Sequence, residues 1–163
     1  MSSTLFASDP EVQVRVRKLL IGDRWTESES GREFDTVNPA TGEVICRVAE
    51  ADASDVDKAV QVARRAFDTG RWPRMAAAER GRLIHKLADL IEANVEELAR
   101  LETLDNGKPL NESRYADLPL TIATFRYYAG WADKIQGRTI PVAGPHFCYT
   151  RHQPVGVVGQ IIP

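Results

Sequence analysis

An α/β fold, incomplete as it stands, is predicted for this chain on three observations. The N-terminal third alternates short β-forming runs with turn formers, the middle carries the 3.6-residue period of amphipathic helices, and the end returns to β text. That end is Val155-Gly-Val-Val-Gly-Gln-Ile-Ile-Pro163, uncharged and rich in Val and Ile, as in a strand covered on both faces of a parallel sheet. A parallel strand needs a crossover and a parallel neighbour, and the sequence stops before supplying them.

Taken in order, residues 1–17 are polar and unpatterned and read as a flexible tail, with Arg15-Val16-Arg17-Lys18 a solvated approach to a strand. Lys18 to Trp25 reads as two short strands joined at Gly22-Asp23, and Glu33 to Thr36 as a third. Val37-Asn38-Pro39-Ala40-Thr41-Gly42 then supplies turn formers before residues 43–48, where positions 44, 46 and 48 alternate as in a half-buried strand. From Ser54 the period changes. Val56, Ala59, Val60, Ala63 and Phe67 form one helical stripe, with Ser54 as N-cap, Asp57 completing a capping box, and Gly70 and Pro73 closing the helix. A second helix over 76–93 should bury Leu83, Ile84, Leu87, Ala88 and Ile91. Asn94 with Glu97 is a cap signature for a third, with Val95, Leu98 and Leu101 inward, stopping at Asn106-Gly107. A fourth helical piece covers 111–116. Pro119 argues against its continuing, and Asp117 as N-cap would restart a fifth helix through Trp131 or Lys134. Residues 139–142 and 147–152 flank Ala143-Gly144-Pro145 as a long hairpin, and 155–162 form the last strand.

The 163 residues are 43% apolar and 27% charged, which excludes disordered and collagen-like classes. Lys plus Arg number 21 against 23 Asp plus Glu, interspersed, so neither a nucleic acid nor an anionic membrane is expected as partner. No apolar run is long enough to span a bilayer, and the N-terminus shows no basic-then-apolar leader, so a cytoplasmic location is expected. Cys46 and Cys148 are far apart with no ligand spacing near either, against a zinc site or a disulfide framework. His146 and His152 would share a strand face with Cys148, but without a third orienting group they read as scattered surface or interface residues and not as a Cys–His pair. Gly156 and Gly159 precede the final strand's end, so they suit close packing and not phosphate binding.

Six segments resemble the NAD(P)-dependent aldehyde dehydrogenase family, in the family's order and over nearly the whole chain from Leu19. They are Thr36-Val-Asn-Pro-Ala-Thr-Gly-Glu-Val-Ile45, Asp55-Val-Asp-Lys-Ala-Val60, Glu79-Arg-Gly-Arg-Leu83, Leu101-Glu-Thr-Leu-Asp-Asn-Gly-Lys-Pro109, Arg126-Tyr-Tyr-Ala-Gly-Trp131 and Pro154-Val-Gly-Val-Val-Gly-Gln-Ile-Ile-Pro163. The fourth and the end of the sixth are the most diagnostic, and the set looks like the tetrameric class of aliphatic, betaine-aldehyde and arylacetaldehyde enzymes.

The resemblance implies that residues 18–134 are the N-terminal helical and small β part of a Rossmann-like cofactor domain. It implies an oligomerisation hairpin at 135–154, through which a homotetramer forms, and a first nucleotide-binding strand at 155–163. It further implies aldehyde oxidation with NAD, NADP remaining open, by a cysteine thiolate, an oxyanion-holding Asn and backbone N–H, and a Glu that activates water. All three catalytic side chains match positions beyond Pro163, so no catalytic residue is assigned here and these residues alone are expected to be inactive. Ile161, Ile162 and Pro163 match cofactor-cleft positions, and Ala116, Asp117 and Leu120 match the border of the substrate tunnel, where a small Ala116 leaves room for a bulky aldehyde. Val37, through its backbone, and Asp105 match a structural monovalent-cation site. The alternative is a non-catalytic oligomerisation or interaction module.

Overall fold

Two antiparallel hairpins open the chain, of which the computed structural model describes residues 18–162; the tail assigned to 1–17 and the cofactor contact assigned to Pro163 lie outside the described residues. Strands β1 (Leu19–Ile21) and β2 (Arg24–Thr26) pair from Leu19↔Thr26 to Ile21↔Arg24. Gly22 takes φ +68° at the first corner, which a two-residue hairpin demands and glycine adopts without strain. Strands β3 (Glu33–Val37) and β4 (Val44–Ala49) pair with a register shift between Thr36 and Val37. That bulge adds one residue on β4, so the even alternation expected over 44, 46 and 48 is broken: Val44 is exposed, whereas Cys46 and Ala49 are buried.

Helix α1 (Ala53–Thr69) starts earlier than expected. Its N-cap is Asp52, not Ser54: Asp52 Oδ1 accepts from the Ser54 and Asp55 amides at 2.9 and 3.3 Å, and Asp55 returns a bond from the Asp52 amide at 3.2 Å. Aspartate at both ends of the box does what serine and Asp57 were expected to do. Asp55 is itself buried, accepting from Ser28 Oγ at 3.1 Å and the Glu29 amide at 3.2 Å, and so joins the helix to the loop after β2. The expected stripe is only partly covered. Val56 and Val60 are about half exposed, because the described chain packs no layer against that face.

After a 3₁₀ turn at Trp72–Arg74, helix α2 (Ala77–Ala93) makes its largest contact with α5 (Leu118–Trp131). Small residues carry it. Gly81 and Ala88 are buried, while Leu83 and Leu87, expected inside, stand 44% exposed at the sides of the seam. Asn94 ends α2 instead of capping α3 (Val95–Asn106): its side-chain amide donates back to the Leu90 carbonyl at 2.7 Å. Gly107, at φ +79°, terminates α3 where expected.

Pro119 does not interrupt the chain that follows. Helix α4 (Leu110–Glu112) runs through a π turn, Ser113–Asp117, directly into α5, and Asp117 has helical dihedrals with no capping bond. In a regular α-helix Pro119 would lack an amide for residue 115 and press its ring on that carbonyl; the extra residue of a π turn widens the spacing and removes the conflict.

Arg126 on α5 clamps this seam, donating to Asp89 Oδ1 at 2.9 Å and to Glu92 on α2. Its hydrogen bonds hold both carboxyls below their ordinary ranges. A carboxylate so depressed stabilises the fold above its unfolded value and loses that contribution as pH falls through its folded value. Arg126→Met is therefore expected to flatten the fall of melting temperature between about pH 5 and pH 2, the variant and parent converging at the acid end. Parallel pH profiles would contradict this.

The long hairpin is short in its paired part: β5 (Thr139–Ile140) and β6 (Cys148–Tyr149) contribute two residue pairs, extended by the Thr150 amide to the Arg138 carbonyl at 2.8 Å. Residues 155–162, assigned to a strand, pair with nothing among the described residues, and Val155 and Ile161 are 94% and 99% exposed. An extended run becomes a strand only beside another, and the described chain offers none.

Candidate functional site

The π turn gathers the tunnel candidates. Ala116 and Asp117 lie in it and Leu120 one turn on; Ala116 and Leu120 are exposed, and Asp117 is half-buried. Single π turns inside helices are frequent at functional sites. This one is fastened at both ends. Lys108 donates from Nζ to Asp117 Oδ2, and that hydrogen bond raises the ammonium above its ordinary pKa. Arg114 pairs with Glu96 of α3. Lys108 escaped the sequence reading because its nine-residue separation from Asp117 is no helical spacing, and the π turn that intervenes is not written in the residue types.

The end of α3 carries Asp105 toward the turn that follows Val37. A Cβ at Gly107 would stand 2.9 Å from Pro39 Cγ, so the turn after β3 rests on the end of α3. Asp105 and Thr36, the neighbour of Val37, accordingly line one open groove of about 350 Å³ with Cys46 and Glu102. Among the described residues no group of three His, Cys, Asp or Glu side chains is placed to hold a metal.

The cofactor candidates Ile161 and Ile162 lie on the exposed final segment. No backbone hydrogen bond ties that segment to the rest of the described chain. Cys46 is buried in β4 and Cys148 half-buried in β6, both as free thiols. Strand geometry ends at Tyr149, so the face that Cys148 was expected to share with His146 and His152 does not extend to either histidine, and both are exposed. No described helix is long and apolar enough to cross a membrane.

Comparison with known proteins adds four findings. The model of the "Aldehyde dehydrogenase family" matches residues 25–163. Human retinal dehydrogenase 2 is 57% identical over 155 residues, which are 94% of this chain and 30% of that protein. Human mitochondrial aldehyde dehydrogenase is 55% identical over 158 residues, 96% of this chain and 31% of its own length. An aldehyde dehydrogenase from Bacillus cereus, solved as its NAD+ complex, superposes with a TM-score of 0.82 at 48% identity, covering 86% of this chain and 28% of that one. The chain thus spans about 30% of the length of the curated relatives it matches. With the family model running from Trp25 to the last residue and relatives more than half identical over that span, the chain belongs to the aldehyde dehydrogenase family.

Proposed function

We propose that these residues are the N-terminal part of an NAD-dependent aldehyde dehydrogenase, which oxidises an aldehyde to a carboxylic acid through a thiohemiacetal on a cysteine outside this sequence. The observation that carries the reading is the unbroken family match over 25–163. Domain limits at 18–134, 135–154 and 155–163 go with it, as do a homotetramer joined through the hairpin, a monovalent cation held by the Val37 backbone and Asp105, and a cytoplasmic location.

The described residues suit the cofactor. Ile161 and Ile162 present apolar side chains and unengaged backbone groups, with no charge to oppose a nicotinamide. NAD, when bound, supplies the hydride acceptor. What the chain's own residues supply is the flank of the tunnel: Ala116, Asp117 and Leu120 would border the entering aldehyde, the small side chain at 116 favouring bulky ones.

A second reading, an oligomerisation or interaction module, draws on the hairpin: Phe147 and Tyr149 stack with ring centroids 5.5 Å apart while both remain largely exposed. An unpaired strand edge beside an aromatic pair is a surface that another chain can cover.

Aldehyde-dependent NADH production separates the two. The chain extended through its native reading frame is expected to reduce NAD+ with at least one of several aliphatic and aromatic aldehydes, and residues 1–163 alone are expected to give none. An inactive extended chain would favour the module. Turnover by the short chain would overturn the placement of every catalytic group and return the search to Cys46 and Cys148.

A further inference from the structure

We infer that Lys108 is a positioning residue for aldehyde size: its ion pair with Asp117 holds the π turn that sets where Leu120 stands relative to Ala116. The inference rests on the reading of Ala116, Asp117 and Leu120 as the border of the substrate tunnel.

Helix phase carries it. Ser113 and Leu120 are seven residues apart, so in a regular α-helix they would lie on the same face. Yet Ser113 is wholly buried, and Leu120 is 68% exposed. The extra residue of the π turn accounts for the difference, since one residue is about 100° of α-helical rotation. Relaxing the turn to α geometry would swing Leu120 by about that angle relative to the buried face.

A π turn is the less favourable geometry and persists where its surroundings fix it. The buried hydroxyl of Ser113 finds no hydrogen-bond partner, so it does not supply the fixing. Arg114 ties the start of the turn to Glu96, and Lys108 ties its end through Asp117. Lys108 is itself held. Asn106 Oδ1 accepts from its amide at 2.7 Å, and Gly107 adopts the left-handed conformation against Pro39. Both partners are only part-exposed, 33% for the Lys108 side chain and 40% for Asp117, so water screens the pair less than an open surface pair.

The test uses the chain extended through its native reading frame, as parent, Lys108→Met and Lys108→Arg, with propanal and phenylacetaldehyde. Lys108→Met is expected to raise KM for phenylacetaldehyde about tenfold, with kcat for both aldehydes and KM for propanal within about twofold of the parent. Lys108→Arg, which keeps the cation, should restore parental KM. Amide hydrogen exchange over 114–120 should quicken in Lys108→Met and not in Lys108→Arg. A KM for phenylacetaldehyde that is unchanged, or that moves in step with propanal, overturns the inference, as does exchange unaltered by the methionine. A parent with no aldehyde-dependent NADH production overturns the proposed dehydrogenase activity and the size-positioning role with it, whereas the exchange result still reports whether Lys108 holds the turn.

Discussion

Replacing Asp55 by alanine is expected to destabilise the fold by about 2–4 kcal/mol, a drop of roughly 5–15 °C in melting temperature. Asp55 is 3% exposed, and its carboxylate accepts from Ser28 Oγ, the Glu29 amide and the Asp52 amide. Alanine leaves those donors facing a buried void and removes half of the capping box at the start of α1. A buried group left without its partner costs more than the bond was worth, and here several lose theirs at once. Asp55→Asn keeps the volume and one acceptor oxygen and should lose less. A thermal melt of Asp55→Ala within about 2 °C of the parent would show that the carboxylate does not join the hairpin layer to the helix.

At the α2–α5 seam, Gly81→Val should cost about 1–3 kcal/mol. A Cβ at 81 would lie 2.7 Å from the Ala129 carbonyl oxygen and 3.4 Å from Ala132 Cβ, and backbone cannot swing aside as a flexible side chain can. Glycine in a helix interior is otherwise a liability of about 1 kcal/mol against alanine, a propensity gain that offsets only part of this clash. Gly81→Ala already carries that Cβ, so its melt should fall below the parent's. For valine the branched Cβ adds further clash and gives up part of the propensity gain, and the melt should fall further than in the alanine variant. Equal melts for parent and Gly81→Val would mean that the two helices do not approach at residue 81.

The elements themselves were legible in the sequence. The hairpin at Gly22, the helices to either side of Asn94 and the stop at Gly107 follow from turn chemistry and apolar period, and all appear where those signals stand. What eluded sequence reasoning has three physical causes. Caps compete locally, and Asp52 won over Ser54 because Asp55 could reciprocate. Proline argues against an α-helix but not against a π turn, so Pro119 marked an irregularity where a break was expected. Apolar period reports which face wants covering and not what covers it, hence Val56, Val60 and 155–162 remain open in the described chain. The chemistry was legible only through the order of six motifs. No periodicity or spacing points to Ala116 or Leu120, and the Lys108–Asp117 pair spans nine residues and a π turn that residue types alone do not display.

The α2–α5 seam also bears on how the protein is made. Its two helices are separated by only the stretch 94–117, so they can meet as soon as α5 leaves the ribosome, since closing so short a loop is fast. The relatives are about three times as long as the segment matched. At roughly 5–20 residues per second, the remainder of a chain of that length takes tens of seconds to emerge. Throughout that interval, in a chain of that length, Val56, Val60 and the final apolar run would stay open to solvent. In a chain of the relatives' length these surfaces would be bound by holding chaperones during synthesis, and slowing translation beyond the matched segment would lengthen that occupancy.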